Sequence, residues 1–368
     1  DLAGEPTGAG SALLSKGAPA EKDAPVAARL KEAGAIILGK TVTTQFASFD
    51  PAVTRNPWNL ERTPGGSSSG SAAAVACGMC LGAIGSQTGG SITRPASFCG
   101  IAGCKPTFGL ASTDGIFPLA PSLDHPGPFA RSVADLAVML DVIAEPAPVA
   151  NPWEGTLGSP PPRVSLDDAV RNLAELAPPR IGRLRGFFDE MADPAALSAL
   201  DDALEKFRAA GASIREAPLP PAFDDIHRLH RIVMSTEAAR FHKPRFAAHR
   251  DDYLPCIAGL LEEGLAAGDD DYARSRQHQE RARQEILQSF AQVDALVCLG
   301  ARGPAPDAST TGDPAFNSPR SYVGLPLVSF PISLAPDGLP LSLQLIGRPY
   351  DEATVFQSAA WCERVVQK

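Results

Sequence analysis

No stretch of this 368-residue chain holds the roughly 18 consecutive apolar residues that a membrane-spanning helix needs, and residue 1 does not open a signal peptide. Cytoplasm is the expected location. Positive charge is in deficit, with 33 Lys and Arg against 42 Asp and Glu, a net charge of −9. A chain with that balance is not expected to hold nucleic acid by its own electrostatics. Paired cysteines are lacking too: there are seven, odd in number and without a disulfide-like pattern, which fits free thiols in a reducing compartment. Cys77 and Cys80 form a C-x-x-C followed by Cys99 and Cys104, but the second pair has the wrong spacing for zinc and the first sits among small apolar residues. No metal is expected. Low complexity is excluded as well, because 33 glycines and 35 prolines stay below the roughly 25–30% that marks it.

What the sequence does contain is concentrated in residues 63–109. The stretch opens with Thr63-Pro64-Gly65-Gly66-Ser67-Ser68-Ser69-Gly70-Ser71 and continues through an alanine-rich run. It then reaches Gly85-Ser86-Gln87-Thr88-Gly89-Gly90-Ser91, Arg94-Pro95-Ala96 and Lys105-Pro106-Thr107. Residues 71–79 are rich in good helix formers, so a helix is expected to hold two glycine-serine loops at a fixed separation. Two glycines directly before Ser91 would let the backbone adopt strained angles and aim several N–H groups at one point, as an oxyanion hole beside a nucleophile requires. A flexible linker would not carry the alanine-rich run and the Arg-Pro.

The remainder reads as strands interleaved with helices, which argues for an α/β fold on a central mixed sheet. A helix is expected over 24–32, ended by Gly34, with a short buried strand at 35–38. Residues 34–41 also match the phosphate-loop expression G-x-x-x-x-G-K-T. A true phosphate loop follows a strand and opens four residues toward phosphate, whereas here a helix precedes and the middle residues are Ala-Ile-Ile-Leu. Ser132 with Asp135 caps a helix bearing Leu136, Met139, Leu140 and Ile143 on one face. The Pro-rich residues 145–162 read as a connector. Beyond them, strands are expected at 180–184, 293–299, 326–333 and 341–346. A helix opens at Asp193-Pro194, 223–290 is mainly helical, and Asp351 caps a closing helix.

The serine-rich core resembles the amidase signature family of serine hydrolases. The resemblance runs through Gly39-Lys40-Thr41, the core itself, Gly127-Pro128, Ala130-Arg131-Ser132, Val293-Asp294-Ala295, Gly312-Asp313-Pro314 and Gly338-Leu339-Pro340 to Gln344. It implies the amidase signature fold, a central mixed β-sheet covered on both faces by α-helices. All of 1–368 would be one domain: a catalytic half at 1–144, a mainly helical substrate-shaping region at 163–320, and strands and a helix at 321–368 that complete the core. It also implies a Ser-cisSer-Lys triad hydrolysing a carboxylic amide through an acyl-enzyme, with no metal and no cofactor. Ser91 would be the nucleophile and Ser67 the relay, joined to Gly66 by a cis peptide. The N–H groups of Thr88, Gly89, Gly90 and Ser91 would form the oxyanion hole, with Ser68, Ser86, Gln87 and Arg94 in support. The implied partner is a small-molecule amide, with no membrane and no direct nucleic acid; a homodimer is left open.

Three departures stand out: Ser86-Gln87 replaces the usual Thr-Asp, the arginine falls three residues after Ser91 instead of two, and the family's lysine has no counterpart. That lysine stands just before the Asp-x-x-Gly matched by Asp1 to Gly4, so it is expected upstream of Asp1. A chain without it is expected to turn over slowly, since general-base assistance is worth ~10²–10⁴-fold. Three other readings compete. Gly66-Ser67-Ser68-Ser69-Gly70 could be a nucleophile elbow with Ser68 attacking, but it lacks a preceding strand and a downstream histidine in catalytic context. The chain could instead be the glutamine-hydrolysing subunit of a tRNA-dependent amidotransferase, or a non-catalytic relative. From the charge balance, the chain alone should show no measurable affinity for tRNA at physiological salt. A filter-binding titration giving a salt-sensitive sub-micromolar complex would contradict this.

Overall fold

The computed structural model describes residues 1–172 and 175–367. Among the described residues, eight strands form one mixed sheet: β1 (Gly82–Gln87), β2 (Ala102–Lys105), β3 (His125–Ala130), β4 (Arg180–Leu184), β5 (Ser213–Ala217), β6 (Ala295–Leu299), β7 (Leu327–Leu334) and β8 (Pro340–Ile346). Their order is β1-β3-β2-β7-β8-β6-β4-β5. Only β4 with β5 and β4 with β6 run parallel; the other neighbours are antiparallel. The N-terminal third supplies three adjacent strands, β1, β3 and β2, and β7 with β8, from the C-terminal part, joins them to β6, β4 and β5 of the middle region.

Register decides which residues meet which helices, because side chains alternate across a strand. Gly103 pairs with Phe129 on one side and with Ser329 on the other. That face receives the helices Ser69–Ala76 and Thr93–Cys99, where Ala72, Val75, Ile92, Ala96, Cys99 and Ile101 pack on Phe129. One residue along, Ala102, Cys104 and Ala130 face the opposite way, into the main core with Leu136, Leu140, Phe356 and Ala359. Helices therefore cover both faces, and the two loops of interest sit on the Phe129 side.

Local signals account for most of the helix ends. Ser132 accepts from the Asp135 N–H, and Asp193 accepts from Ala195 and Ala196 ahead of Pro194–Ala209. Asp351 accepts from Thr354 to start Glu352–Val366. The span 223–290 contains Ile226–Ala248, Pro255–Ala266 and Asp269–Ile286. Among the described residues, no helix is long and apolar enough to cross a membrane.

Two expectations change. Residues 35–38 form no strand, and Ile36 and Leu38 are 86% and 73% exposed. The backbone just beyond them is bonded to the serine loop, leaving no ladder to join: the Val42 carbonyl accepts from Gly70 N–H at 2.8 Å and Thr44 N–H donates to the Ser67 carbonyl at 3.1 Å. Second, Gly85, Ser86 and Gln87 belong to edge strand β1, so the second loop begins at Thr88. Arg94 and Pro95 lie within the short helix Thr93–Cys99.

A Cβ added at Gly103 would lie 2.7 Å from the Ala96 Cβ. Gly103→Val should therefore cost about 1–3 kcal/mol of stability through overpacking, read as a lowered urea midpoint with unchanged slope. An unaltered midpoint would show that the Thr93–Cys99 helix is free to move off the sheet.

Candidate active site

The two loops are brought together above the Phe129 face. The Gly66–Ser67 peptide is cis, and Ser67 is buried. Its carbonyl accepts from Thr44 N–H at 3.1 Å, Thr43 Oγ1 at 3.0 Å and Ser69 N–H at 2.9 Å. The next residue reaches the second loop, with Ser68 N–H donating to the Ser91 carbonyl at 3.4 Å. Ser68 Oγ is taken up by β1, accepting from Ser86 N–H at 3.2 Å and donating to the Ser86 carbonyl at 3.4 Å. Its hydroxyl is thus tied to a strand edge, with no histidine bonded to it among the described residues, which leaves the elbow reading without support.

Arg94 joins both loops. Its backbone N–H donates to the Gly90 carbonyl at 2.9 Å, and its Nη2 donates to the Gly66 carbonyl at 2.7 Å and to Thr311 Oγ1 at 3.4 Å. The side chain is fully buried, and desolvation pulls the guanidinium down to about 10, so it is still protonated at neutral pH.

Gln87, which stands where the resemblance leads one to expect a carboxylate, acts through its amide. Its Oε1 accepts from Ile92 N–H at 2.9 Å, Thr93 N–H at 3.0 Å and Thr93 Oγ1 at 3.2 Å. Its Nε2 donates to Ser321 Oγ at 3.1 Å. No charge is needed there, because the partners are N–H and O–H donors on one side and a hydroxyl on the other.

The glycines of the second loop behave differently from the sequence expectation. Neither Gly89 nor Gly90 has a φ in the left-handed region. Space is the constraint at Gly90, where a Cβ would lie 2.9 Å from Asn317 Oδ1, while Gly89 is less crowded, with His230 and Pro314 at 3.6 and 3.7 Å. Three successive carbonyls of this loop are each claimed by a donor. Thr88 accepts from His230 Nε2 at 3.0 Å, Gly89 from Ser321 Oγ at 3.0 Å, and Gly90 from Arg94 N–H at 2.9 Å. In a planar trans peptide the following N–H points the opposite way, so the N–H groups of Gly89, Gly90 and Ser91 turn to the other side. Among the described residues, no hydrogen bond occupies those three donors.

Asp124, His230, Asn317 and Ser321 were not singled out in the sequence, and no local pattern marks them; only the fold brings them here. Asp124 Oδ1 accepts from Thr88 Oγ1, and its Oδ2 accepts from Leu119 N–H at 2.9 Å and Ala120 N–H at 3.1 Å. Asn317 Nδ2 donates to the Gly300 carbonyl at 2.8 Å and to Thr93 Oγ1 at 3.1 Å. Two lysines of the quoted motifs are held by backbone and hydroxyl oxygens: Lys40 Nζ donates to the Pro6 carbonyl and Thr7 Oγ1, and Lys105 Nζ to the Pro106 and Leu325 carbonyls. Lys40 also disposes of the phosphate-loop reading, since no strand precedes Gly34 and no α-helix opens at Thr41.

A mixed sheet covered on both faces by helices, with a buried serine loop set beside a Gly-Gly-Ser loop, defines an α/β protein with a candidate serine-based site. Similarity to known proteins makes it specific: the model of the Amidase family matches residues 1–356, and the chain belongs to that family. Among curated relatives, a glutamyl-tRNA(Gln) amidotransferase subunit from Geobacter metallireducens is 34% identical, covering 92% of this chain and 76% of the relative. The same subunit from Roseiflexus castenholzii is 37% identical over 93% of this chain and 76% of its own length. Among solved structures, native peptide amidase from Stenotrophomonas maltophilia superposes with a TM-score of 0.83 at 31% identity, covering all of this chain and 81% of that one. The corresponding glutamyl-tRNA(Gln) amidotransferase subunit from Thermotoga maritima gives 0.83 at 26% identity, over 99% and 80%. The protein is a hydrolase acting on amide C–N bonds.

Burial pushes the Asp124 carboxyl up to about 7. The folded state then binds more protons at this site than the unfolded chain between about pH 4 and 7, so this group makes stability fall as pH rises through that window. Asp124→Asn removes the titration. The difference in unfolding free energy, variant minus wild type, should therefore rise from pH 4 to 7 by on the order of a few kcal/mol. Urea titrations at several pH values check this; a flat difference would place the proton elsewhere.

Proposed function

We propose that the chain hydrolyses a small carboxylic amide through an acyl-enzyme on Ser91. The observation that carries this reading is the set of three anchored carbonyls behind the unoccupied N–H groups of Gly89, Gly90 and Ser91. Donors fixed in advance stabilise the charge that develops on a carbonyl oxygen without reorganising, and one such donor is typically worth ~10²–10³ in rate. In this reading Ser91 Oγ attacks the carbonyl carbon and gives its proton to Ser67 Oγ. The Ser67 proton passes to a neutral lysine amine, the base the resemblance expects upstream of Asp1. The oxyanion sits against the three N–H groups. Collapse breaks the C–N bond, and the proton returns through Ser67 to the leaving amine. Water then attacks the acyl group by the same relay run in reverse, releasing the acid and regenerating Ser91.

Arg94 supports both ends of this step, holding Gly66 on the relay side and Gly90 on the nucleophile side. Residues 163–320 would shape the acyl pocket within the single domain. A second reading is favoured by the relatives named as amidotransferase subunits: the same chemistry would release ammonia from glutamine for a partner protein that holds the tRNA. Turnover of simple amides by the isolated chain favours the first reading. Glutamine turnover that appears only with a co-purifying tRNA-binding partner favours the second.

A fluorophosphonate probe should label Ser91, located by peptide mass mapping, and Ser91→Ala should abolish labelling and turnover. Ser67→Ala should lower the labelling rate by about 10²–10⁴-fold, the range of a lost proton-transfer step. Labelling at Ser68 would overturn the assignment.

A further inference from the structure

We propose that His230 is a positioning residue for the amidase reaction: by holding the Thr88 carbonyl it aims the Gly89 N–H at the carbonyl oxygen of the substrate. The inference rests on the reading of Ser91 as nucleophile. His230 lies on the long helix Ile226–Ala248, which comes from the middle region of the chain, 142 residues from Thr88 in sequence. It is buried, and its Nε2 is 3.0 Å from the Thr88 oxygen. A carbonyl oxygen can only accept, so Nε2 carries the proton and donates. Burial pushes this imidazole down to about 4, so at neutral pH it is an uncharged donor.

The geometry excludes the more familiar use of a histidine. With Nε2–H committed to a backbone carbonyl, that nitrogen has no lone pair to accept the proton of Ser91. Its effect instead passes through one peptide plane. The Thr88–Gly89 unit is rigid, so fixing its oxygen fixes the direction of the Gly89 N–H. Asp124 fixes the Thr88 side chain at the same time. Of the three anchors in this loop, the Gly90 anchor is the backbone of the loop's own helix, and Ser321 comes from Ser318–Val323. His230 alone of the three ties the hole to the long helix of the region expected to shape the acyl pocket. Gly89 faces His230 with room for no more than ordinary contact, 3.6 Å from a Cβ to Cε1, so a rotation of this peptide is resisted on one side by the ring and released if the donor is lost.

The test compares His230→Met with His230→Gln, two side chains of nearly equal length and volume that differ in having an amide N–H at the place of Nε2. His230→Met should lower kcat by about 10- to 100-fold, the scale of a misaimed donor, with little change in KM. The rate of fluorophosphonate labelling should fall in parallel. His230→Gln should recover most of both, and the pH profile should keep its shape in each. Ser91→Ala serves as the reference: retained turnover there overturns the nucleophile assignment, whereas loss there with an unaffected His230→Met overturns only the present proposal. Equal losses in Met and Gln would reduce His230 to packing, and loss of one limb of the pH profile would make it an acid or base; either result overturns positioning. In the unmodified protein, the ¹⁵N resonance of His230 Nε2 should shift when Ser91 is phosphonylated, because the filled hole loads the Thr88–Gly89 peptide. An unmoved resonance would count against the proposal even if a variant failed to fold.

Discussion

The double attachment of Arg94 is the constraint on which the site depends. A buried arginine loses hydration that a few hydrogen bonds only partly replace, and here Nε and Nη1 have no partner among the described residues. Its backbone and its side chain reach the two loops at once, Gly90 through N–H and Gly66 through Nη2. Because the residue sits in a helix packed on Phe129 through Ala96, the separation of the loops is inherited from the sheet. Its cost is the desolvation that lowers the guanidinium, and its return is a fixed spacing between Ser67 and Ser91 that no flexible surface loop would provide.

Polar residues continue this logic beneath the loops. Gln87, Thr93, Asn317, Gln344, Ser97 and Ser329 form a buried hydrogen-bonded layer on the same face of the sheet. In an apolar interior each of these groups would be costly if unpaired, and mutual satisfaction makes the layer specific. Gln344 shows how it works: its Nε2 donates to the Phe316 carbonyl at 2.6 Å and to the Leu299 carbonyl at 3.0 Å, tying strand β8 to the segment that carries Asn317 and Ser321. The fold thereby couples the C-terminal strands to the orientation of the Thr88–Ser91 peptides.

Much of the framework was legible in sequence because its signals are local. Strand β4 falls on residues 180–184 as expected, Ser132, Asp193 and Asp351 cap the helices they announce, and the serine loops carry the family resemblance in their own residues. The failures were of a different kind. Residues 35–38 looked like a buried strand because Ile and Leu recur there, yet whether an apolar run is covered depends on what lies beside it, and here the neighbouring backbone is bonded to the serine loop. The glycines before Ser91 suggested unusual backbone angles, whereas Gly90 is required by the approach of Asn317, 227 residues away in the chain.

The sequence by itself determined the α/β class and the family, since both are written in short-range pattern and spacing. Only the tertiary structure decided what surrounds the serine loops. Asp124 and His230 came to Thr88, Ser321 to Gly89 and Arg94 to Gly66 through sheet register and helix packing. A hydrogen bond between residues 142 apart leaves no trace in local propensity. The direction of a peptide N–H is likewise set by what holds the carbonyl behind it, and that is a property of the folded neighbourhood.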